Sequence, residues 1–283
     1  MAGSPDARLT RRQVLISGAV AAGYAVAARP VHAEAIVTSE EGLVAGSVRL
    51  PAGDLEIGAY RAYPAAGGPF PVVLVVHEIF GVHAYISDVV RRLAKAGYFA
   101  IAPDLYQRQG DPKQLASVEQ ILSSVVVKVP DAQVMSDLDA TLVYAGADGR
   151  GDVARAAITG FCWGGRIVWL YCAHAPKLRC GVAWYGRLVG DPREETPKHP
   201  IDVAAAASAP VLGLYGSDDT GIPPATVLAM REKLATGKSG SQILMFPAAP
   251  HGFHADYRDS YRPLAAAEAW KRMLGWFREH GVA

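Results

Sequence analysis

The amino-acid sequence predicts an α/β fold: a mostly parallel, doubly wound sheet of about eight strands with helices on both faces. Three observations predict it. Short apolar runs alternate with amphipathic stretches through residues 34–283, the pattern of repeated strand–helix–strand units. The run "VVLVVH", residues 72–77, is apolar at every position before the histidine, as in a central parallel strand covered on both faces. Near the C-terminus, Leu264, Ala267, Trp270, Leu274 and Phe277 recur at helical spacing, a face suited to docking on a sheet.

Taken in order, strands are expected at 43–50, 55–62, 72–77, 98–102, 155–160, 181–185, 210–215 and 242–246. Helices are expected near 84–96, 131–146, 164–175, 224–236 and 260–280. No helix separates the first two strands, which predicts an antiparallel hairpin at the sheet edge. No internal repeat, low-complexity segment or long linker interrupts residues 34–283, so one domain is expected there. "GRLVGDPREETPKHP", residues 186–200, is a long polar excursion beside the ligand end of the sheet, either a lid or a solvated loop.

Composition narrows the function classes. The 283 residues are 51% hydrophobic and 19% charged, enough to bury a sizeable core. A formal net charge of +1, with no long basic run, argues against nucleic acid or an anionic membrane surface as partner. Three cysteines, at 162, 172 and 180, are too few for a disulfide framework or a zinc site. Cys172 and Cys180 read as two buried thiols, or as one bond in an oxidising compartment.

Residues 1–33 stand apart. "LTRRQVLISGAVAAGYAVAARPVHA" has a basic start, an apolar middle and a small-residue site ending at Val31-His32-Ala33. Arg11-Arg12 followed by Val14 and Leu15 resembles a twin-arginine export signal. A membrane anchor is the competing reading, weakened by glycines at 18 and 23 and by the short apolar run. The expectation is therefore export by the twin-arginine machinery to the periplasm, with no stable membrane span after cleavage.

The chemistry concentrates at Gly160-Phe161-Cys162-Trp163-Gly164, a G-x-nucleophile-x-G pattern between an expected strand and an expected helix. Such a turn strains the nucleophile's backbone and needs small neighbours. It sets the sulfur at a helix N-terminus, whose dipole favours negative charge, and aims the Trp163 N–H at an oxyanion on the substrate. A structural cysteine in a tight turn is the alternative. Partners follow in the order acid, then histidine: Asp218 and Asp219 after one strand, His251 after the next. Both loops leave C-terminal strand ends, where open α/β sheets bind ligands. There a histidine can take the thiol proton while an aspartate behind it fixes the tautomer. His251 and His254 lack the further ligands of a metal site, and no cofactor is expected. Glu78 ends the most buried strand, either as a surface residue or facing Cys162 and competing for its proton.

These residues resemble the dienelactone hydrolase family, the carboxymethylenebutenolidases of the α/β-hydrolase fold. The resemblance rests on "HEIFGV", "APDLYQRQG", "GFCWGG", "AWYGRL", "GSDDTGIP" and "PHGF". It implies Cys162 as nucleophile, His251 as base and Asp219, rather than Asp218, as the acid. It implies that Glu78 interacts with the resting thiol, that Ile79 gives a second oxyanion N–H beside that of Trp163, and that Arg108 holds a substrate carboxylate. A second family arginine, four residues after the histidine, is here Ala255; His254 or Arg258 stands nearby. The expected activity is hydrolysis of an ester or lactone of a small, anionic molecule. A broader esterase or acyl hydrolase, and a binding protein that kept the fold without turnover, are the rivals.

Overall fold

Residues 35–147 and 149–283 are described by the computed structural model; the expected signal peptide, residues 1–33, lies outside them. Eight strands form one sheet in the order β1-β2-β4-β3-β5-β6-β7-β8. They are β1 (Leu43–Ala52), β2 (Leu55–Pro64), β3 (Phe70–Val76), β4 (Phe99–Pro103), β5 (Gly151–Phe161), β6 (Cys180–Trp184), β7 (Val211–Gly216) and β8 (Gln242–Phe246). The β1–β2 hairpin is antiparallel and occupies an edge, β2 pairs antiparallel with β4, and the remaining pairings are parallel. Central β3 is buried from Val72 to Val76, which is why its sequence shows no alternation.

The helices are α1 (Ala84–Lys95), α2 (Val118–Ser124), α3 (Asp131–Ala147), α4 (Trp163–His174), the short α5 (Pro200–Val203), α6 (Pro224–Ala235) and α7 (Pro263–Glu279). Successive strand residues reveal the two layers. Thr159 points its hydroxyl to Met273 of α7, 3.5 Å away. Ile158 points the other way: its side chain shares the space over Gly181 with Val168 and Cys172 of α4. The sheet is thus covered on both faces, as expected.

Two segments depart from the expectation. Helix α2 was not anticipated, because seven residues are too few to display a helical period. A local signal did exist: Ser117 accepts the Gln120 N–H at 3.2 Å, and Gln120 accepts the Ala116 N–H at 2.9 Å, a capping exchange of the Ser-x-x-Gln kind. The 186–200 excursion is a tied strap. Arg166 of α4 grips Asp131 with two bonds of 2.7 Å and donates a third, also 2.7 Å, to the Lys198 carbonyl. The Asp131 N–H in turn donates to the Glu195 carbonyl at 2.7 Å.

Glycine decides where α4 meets the sheet. A Cβ on Gly164 would stand 2.4 Å from the Val76 carbonyl oxygen, and one on Gly165 would stand 2.4 Å from that of Trp184. The helix is wedged between the ends of β3 and β6 with no room for a methyl group. Gly275, inside α7, is the opposite case, with nothing within 4 Å of a Cβ built there. Gly275→Ala should raise the unfolding free energy by about 0.5–1 kcal/mol in urea titrations. Gly164→Ala should lower it by about 1–3 kcal/mol; equal effects at the two positions would contradict this packing.

Candidate active site

Cys162 sits between the last residue of β5 and the first of α4 with φ 57° and ψ −114°. That left-handed conformation is costly for a residue with a side chain. It persists because the Cys162 N–H donates to the Trp184 carbonyl at 3.0 Å, extending the β5–β6 ladder by one rung, while the chain behind it turns into the helix. The thiol is buried. Trp163 opens the helix, so its N–H has no intrahelical acceptor.

His251 and Asp219 arrive from the loops after β8 and β7. His251 Nδ1 lies 2.7 Å from Asp219 Oδ2, and Cys162 acts on the charge of the same ring. Asp219 Oδ1 accepts the N–H groups of Gly221 at 2.9 Å and Ile222 at 3.1 Å. Those two amides fix the carboxylate so that Oδ2 faces the imidazole. Burial opposes a charge on His251, but Asp219 and Cys162 raise its pKa to about 10. Asp218, one residue earlier, is exposed and accepts the Ser217 hydroxyl at 2.9 Å. Chain geometry therefore separates the two aspartates, which the residue pattern alone had left open.

Glu78 is fully buried, which removes the surface alternative. Its Oε1 accepts from Arg258 Nη2 at 3.0 Å. Its Oε2 accepts from the Tyr257 hydroxyl at 2.6 Å and faces His83 Nε2 at 3.3 Å. Burial alone would raise its pKa, yet Arg258, His83 and Tyr257 bring it down to about 2. Cys162 enters this network through the field it exerts on Arg258. Ile79 follows Glu78 directly. His77, preceding it, accepts the Leu105 N–H at Nε2 (3.2 Å), so Nδ1 carries the proton and donates to the Glu78 carbonyl at 2.7 Å. Burial keeps that imidazole neutral, and it braces the turn that carries Glu78 and Ile79.

Arg108 is engaged by other parts of the protein. Its guanidinium donates to buried Asp137 at 2.7 Å, to Asp54 at 3.2 Å and to the Ala52 carbonyl at 2.6 Å. It bolts the β1–β2 turn to α3 and is committed to two carboxylates already. The resemblance gives this guanidinium a substrate carboxylate; within the protein its partners are those of Asp137 and Asp54. His254 is no substitute: burial and Arg92 lower its pKa to about 3, and it accepts or donates within a pocket shared with Tyr85, 2.6 Å away. Arg258 is taken by Glu78 and Tyr257. These two, with His83, are the residues that sequence reading did not assemble around Glu78, because 180 positions separate Glu78 from Arg258. Tyr185 was also missed. It holds φ 38° at the end of β6 and sets its ring edge-on to His251, 5.1 Å between centroids.

Cys172 and Cys180 are free buried thiols whose pKa values burial pushes up. Among the described residues, no cluster of three or more His, Cys, Asp or Glu could hold a metal ion, and no helix is long and apolar enough to cross a membrane.

A strained, cysteine-bearing strand-to-helix turn after β5, on an eight-stranded, mostly parallel sheet sandwiched by helices, fits an α/β-hydrolase fold. The chain belongs to the dienelactone hydrolase family, whose model matches residues 57–281. A "Putative carboxymethylenebutenolidase" of Methylorubrum extorquens is 57% identical over 273 residues, 96% of this chain and 94% of its own. One of the same name from Escherichia coli K12 is 49% identical over 260 residues, 92% of this chain and 96% of its own. The crystal structure of a "Putative Dienelactone Hydrolase" from Klebsiella pneumoniae superposes with a TM-score of 0.82 at 50% identity, covering 84% of this chain and 99% of that one. The family is one of hydrolases.

The Glu78 cluster predicts a pH dependence. A carboxyl whose folded pKa is depressed from 4.5 to about 2 contributes stability above its unfolded value and loses it as pH falls toward the folded one, about 3 kcal/mol in all. Glu78→Gln should therefore be less stable than wild type at pH 7, with the gap closing between pH 4.5 and about 2. Urea unfolding across that range checks it; a gap independent of pH would mean that the charge of Glu78 is not what Arg258 holds.

Proposed function

We propose that this hydrolase cleaves an ester or lactone of a small molecule through a Cys162–His251–Asp219 triad and a thioester intermediate. One observation carries the reading. A buried cysteine in a strained strand-to-helix turn helps to favour the charged form of a histidine whose Nδ1 is held 2.7 Å from a buried aspartate.

The Cys162 sulfur, its proton passed to His251, attacks the carbonyl carbon, forming the C–S bond as the carbonyl π pair moves onto the oxygen. N–H groups of Trp163 and Ile79 receive that oxyanion, the first with the help of the α4 dipole. As the tetrahedral species collapses, His251 gives its proton to the departing alkoxide and the acyl group stays on sulfur. His251 then takes a proton from water, the hydroxide adds to the thioester, and the carboxylic acid leaves as the thiolate returns. Asp219 keeps Nδ1 protonated, so that Nε2 does this work, and stabilises the imidazolium. Glu78, held ionised by Arg258, supports the charge arrangement around Cys162 and needs no bond to the sulfur.

Iodoacetamide should alkylate Cys162 ahead of Cys172 and Cys180, whose buried thiols titrate far above neutrality, and should abolish ester hydrolysis. Asp219→Asn should lower kcat by about 10⁴, the scale seen when a triad acid is replaced, against a change of less than about threefold for exposed Asp218→Asn. Full turnover after stoichiometric alkylation of Cys162, or the reverse ranking of the two aspartates, would contradict the assignment.

We further propose export to the periplasm, on the strength of Arg11-Arg12, the apolar stretch and Val31-His32-Ala33. Mature protein should begin near Glu34, and replacing both arginines with lysine should leave precursor in the cytoplasm. Undiminished export of that variant would rule out the twin-arginine route.

A further inference from the structure

We propose that His77 is a positioning residue of this site: by holding the Glu78 carbonyl it aims the Ile79 N–H at the oxyanion. The proposal rests on the ester-hydrolase reading above, in which that N–H is a donor. The Glu78 carbonyl and the Ile79 N–H are the two ends of one peptide group, which is trans. In a planar trans peptide the C=O and N–H point in opposite directions, so a grip on the oxygen fixes the line of the N–H. The grip is the 2.7 Å bond from His77 Nδ1; a second donor to that oxygen, the Gly81 N–H, stands farther off at 3.3 Å. At the other end, Ile79 is buried and its N–H has no acceptor among the described residues. Buried N–H groups are rarely left unpaired in a folded protein, which marks this one as a donor held ready for a ligand.

The ring is held in that orientation from several sides. Nε2 accepts the Leu105 N–H at 3.2 Å, which leaves the proton on Nδ1. One face stacks on the Trp163 side chain, 5.4 Å between centroids with the planes 15° apart, and Tyr106 meets the ring edge-on at 4.6 Å. Trp163 supplies the other proposed oxyanion N–H. The His77 backbone also reaches the elbow, since its carbonyl oxygen stands 2.7 Å from where a Cβ on Gly164 would be. One residue just after β3 thus touches both halves of the oxyanion site. Being fully buried, the ring acts through the Glu78–Ile79 peptide. The bond to the carbonyl also polarises that peptide, which makes its N–H a stronger donor as well as a better aimed one. A protonated ring could not accept from Leu105, and burial opposes the charge, so the brace works as a neutral imidazole.

Two replacements separate the duties of the two ring nitrogens. An asparagine side chain can put its amide nitrogen where Nδ1 stands and has no atom to replace Nε2, whereas leucine fills the space with neither. With p-nitrophenyl acetate, compared at equal folded fraction, His77→Leu should lower kcat about ten- to a hundredfold, less than or near the loss from removing an oxyanion donor outright. KM should change by less than about threefold, because the bond acts in the transition state. His77→Asn should keep kcat within about fivefold of wild type, yet unfold at lower urea than wild type, because the Leu105 N–H is left unpaired. Iodoacetamide loses iodide at a methylene carbon and builds no oxyanion, so all three proteins should be alkylated at Cys162 at similar rates. Unchanged kcat in His77→Leu, equal losses in the two variants, or alkylation that slows in step with hydrolysis overturns the proposal. If His77→Leu does not fold, His77→Asn still decides: a loss in kcat beyond about tenfold there contradicts the proposal, and retained turnover supports it. Each of these outcomes leaves the triad reading standing, whereas a wild-type protein that turns over no ester would sink the reading on which the proposal rests.

Discussion

Backbone packs directly on backbone where α4 enters the sheet, and the reactive geometry depends on that contact. The carbonyl oxygens of Val76 and Trp184 occupy the space that side chains at 164 and 165 would need. Only because glycine stands at both can the helix begin one residue after β5 ends. The same Trp184 carbonyl takes the Cys162 N–H, so one atom sets both the approach of the helix and the strained φ of the cysteine. From this follow the direction of the sulfur, the free N–H of Trp163 and the proximity of Cys162 to loops that leave β7 and β8. The motif that is readable as G-x-C-x-G-G is in this sense a packing rule before it is a chemical one.

A second constraint is charge. Two ionic pairs are buried around the thiol, Asp219 with His251 and Glu78 with Arg258. Asp219 favours the charged form of His251, and Arg258 that of Glu78, against the burial that opposes both charges. The pairs differ in their surroundings. Asp219 is fastened by two backbone amides, leaving His251 to interact with sulfur. Glu78 is fastened by side chains of the 251–262 loop and by His83, so the turn bearing Ile79 and the loop bearing His251 are bound to one another.

Much of this was legible from the chain. Continuous apolar runs marked the parallel strands, the elbow marked its own strand and helix, and chain order marked His251 and the aspartate pair, because each of these signals is local. The high cost of a carboxylate at the end of β3 marked Glu78 as special. What was not legible is nonlocal. Arg108 leaves a loop at the correct end of β4, but Asp54 and Asp137 pull it toward the hairpin and α3, and neither is a sequence neighbour. Arg258 belongs to Glu78 only through the fold. Helix α2 escaped because a seven-residue segment has a cap but no period.

The most direct test of the account is to look for the acyl group on sulfur. Wild-type protein is mixed with a p-nitrophenyl ester, quenched in acid within one turnover, digested and analysed by mass spectrometry. The account predicts one added acyl mass on the peptide containing Cys162, labile to hydroxylamine as a thioester is, and none on that peptide in Cys162→Ala. Hydrolysis that continues in Cys162→Ala at the wild-type rate, or an acyl group found on a different residue, would contradict it.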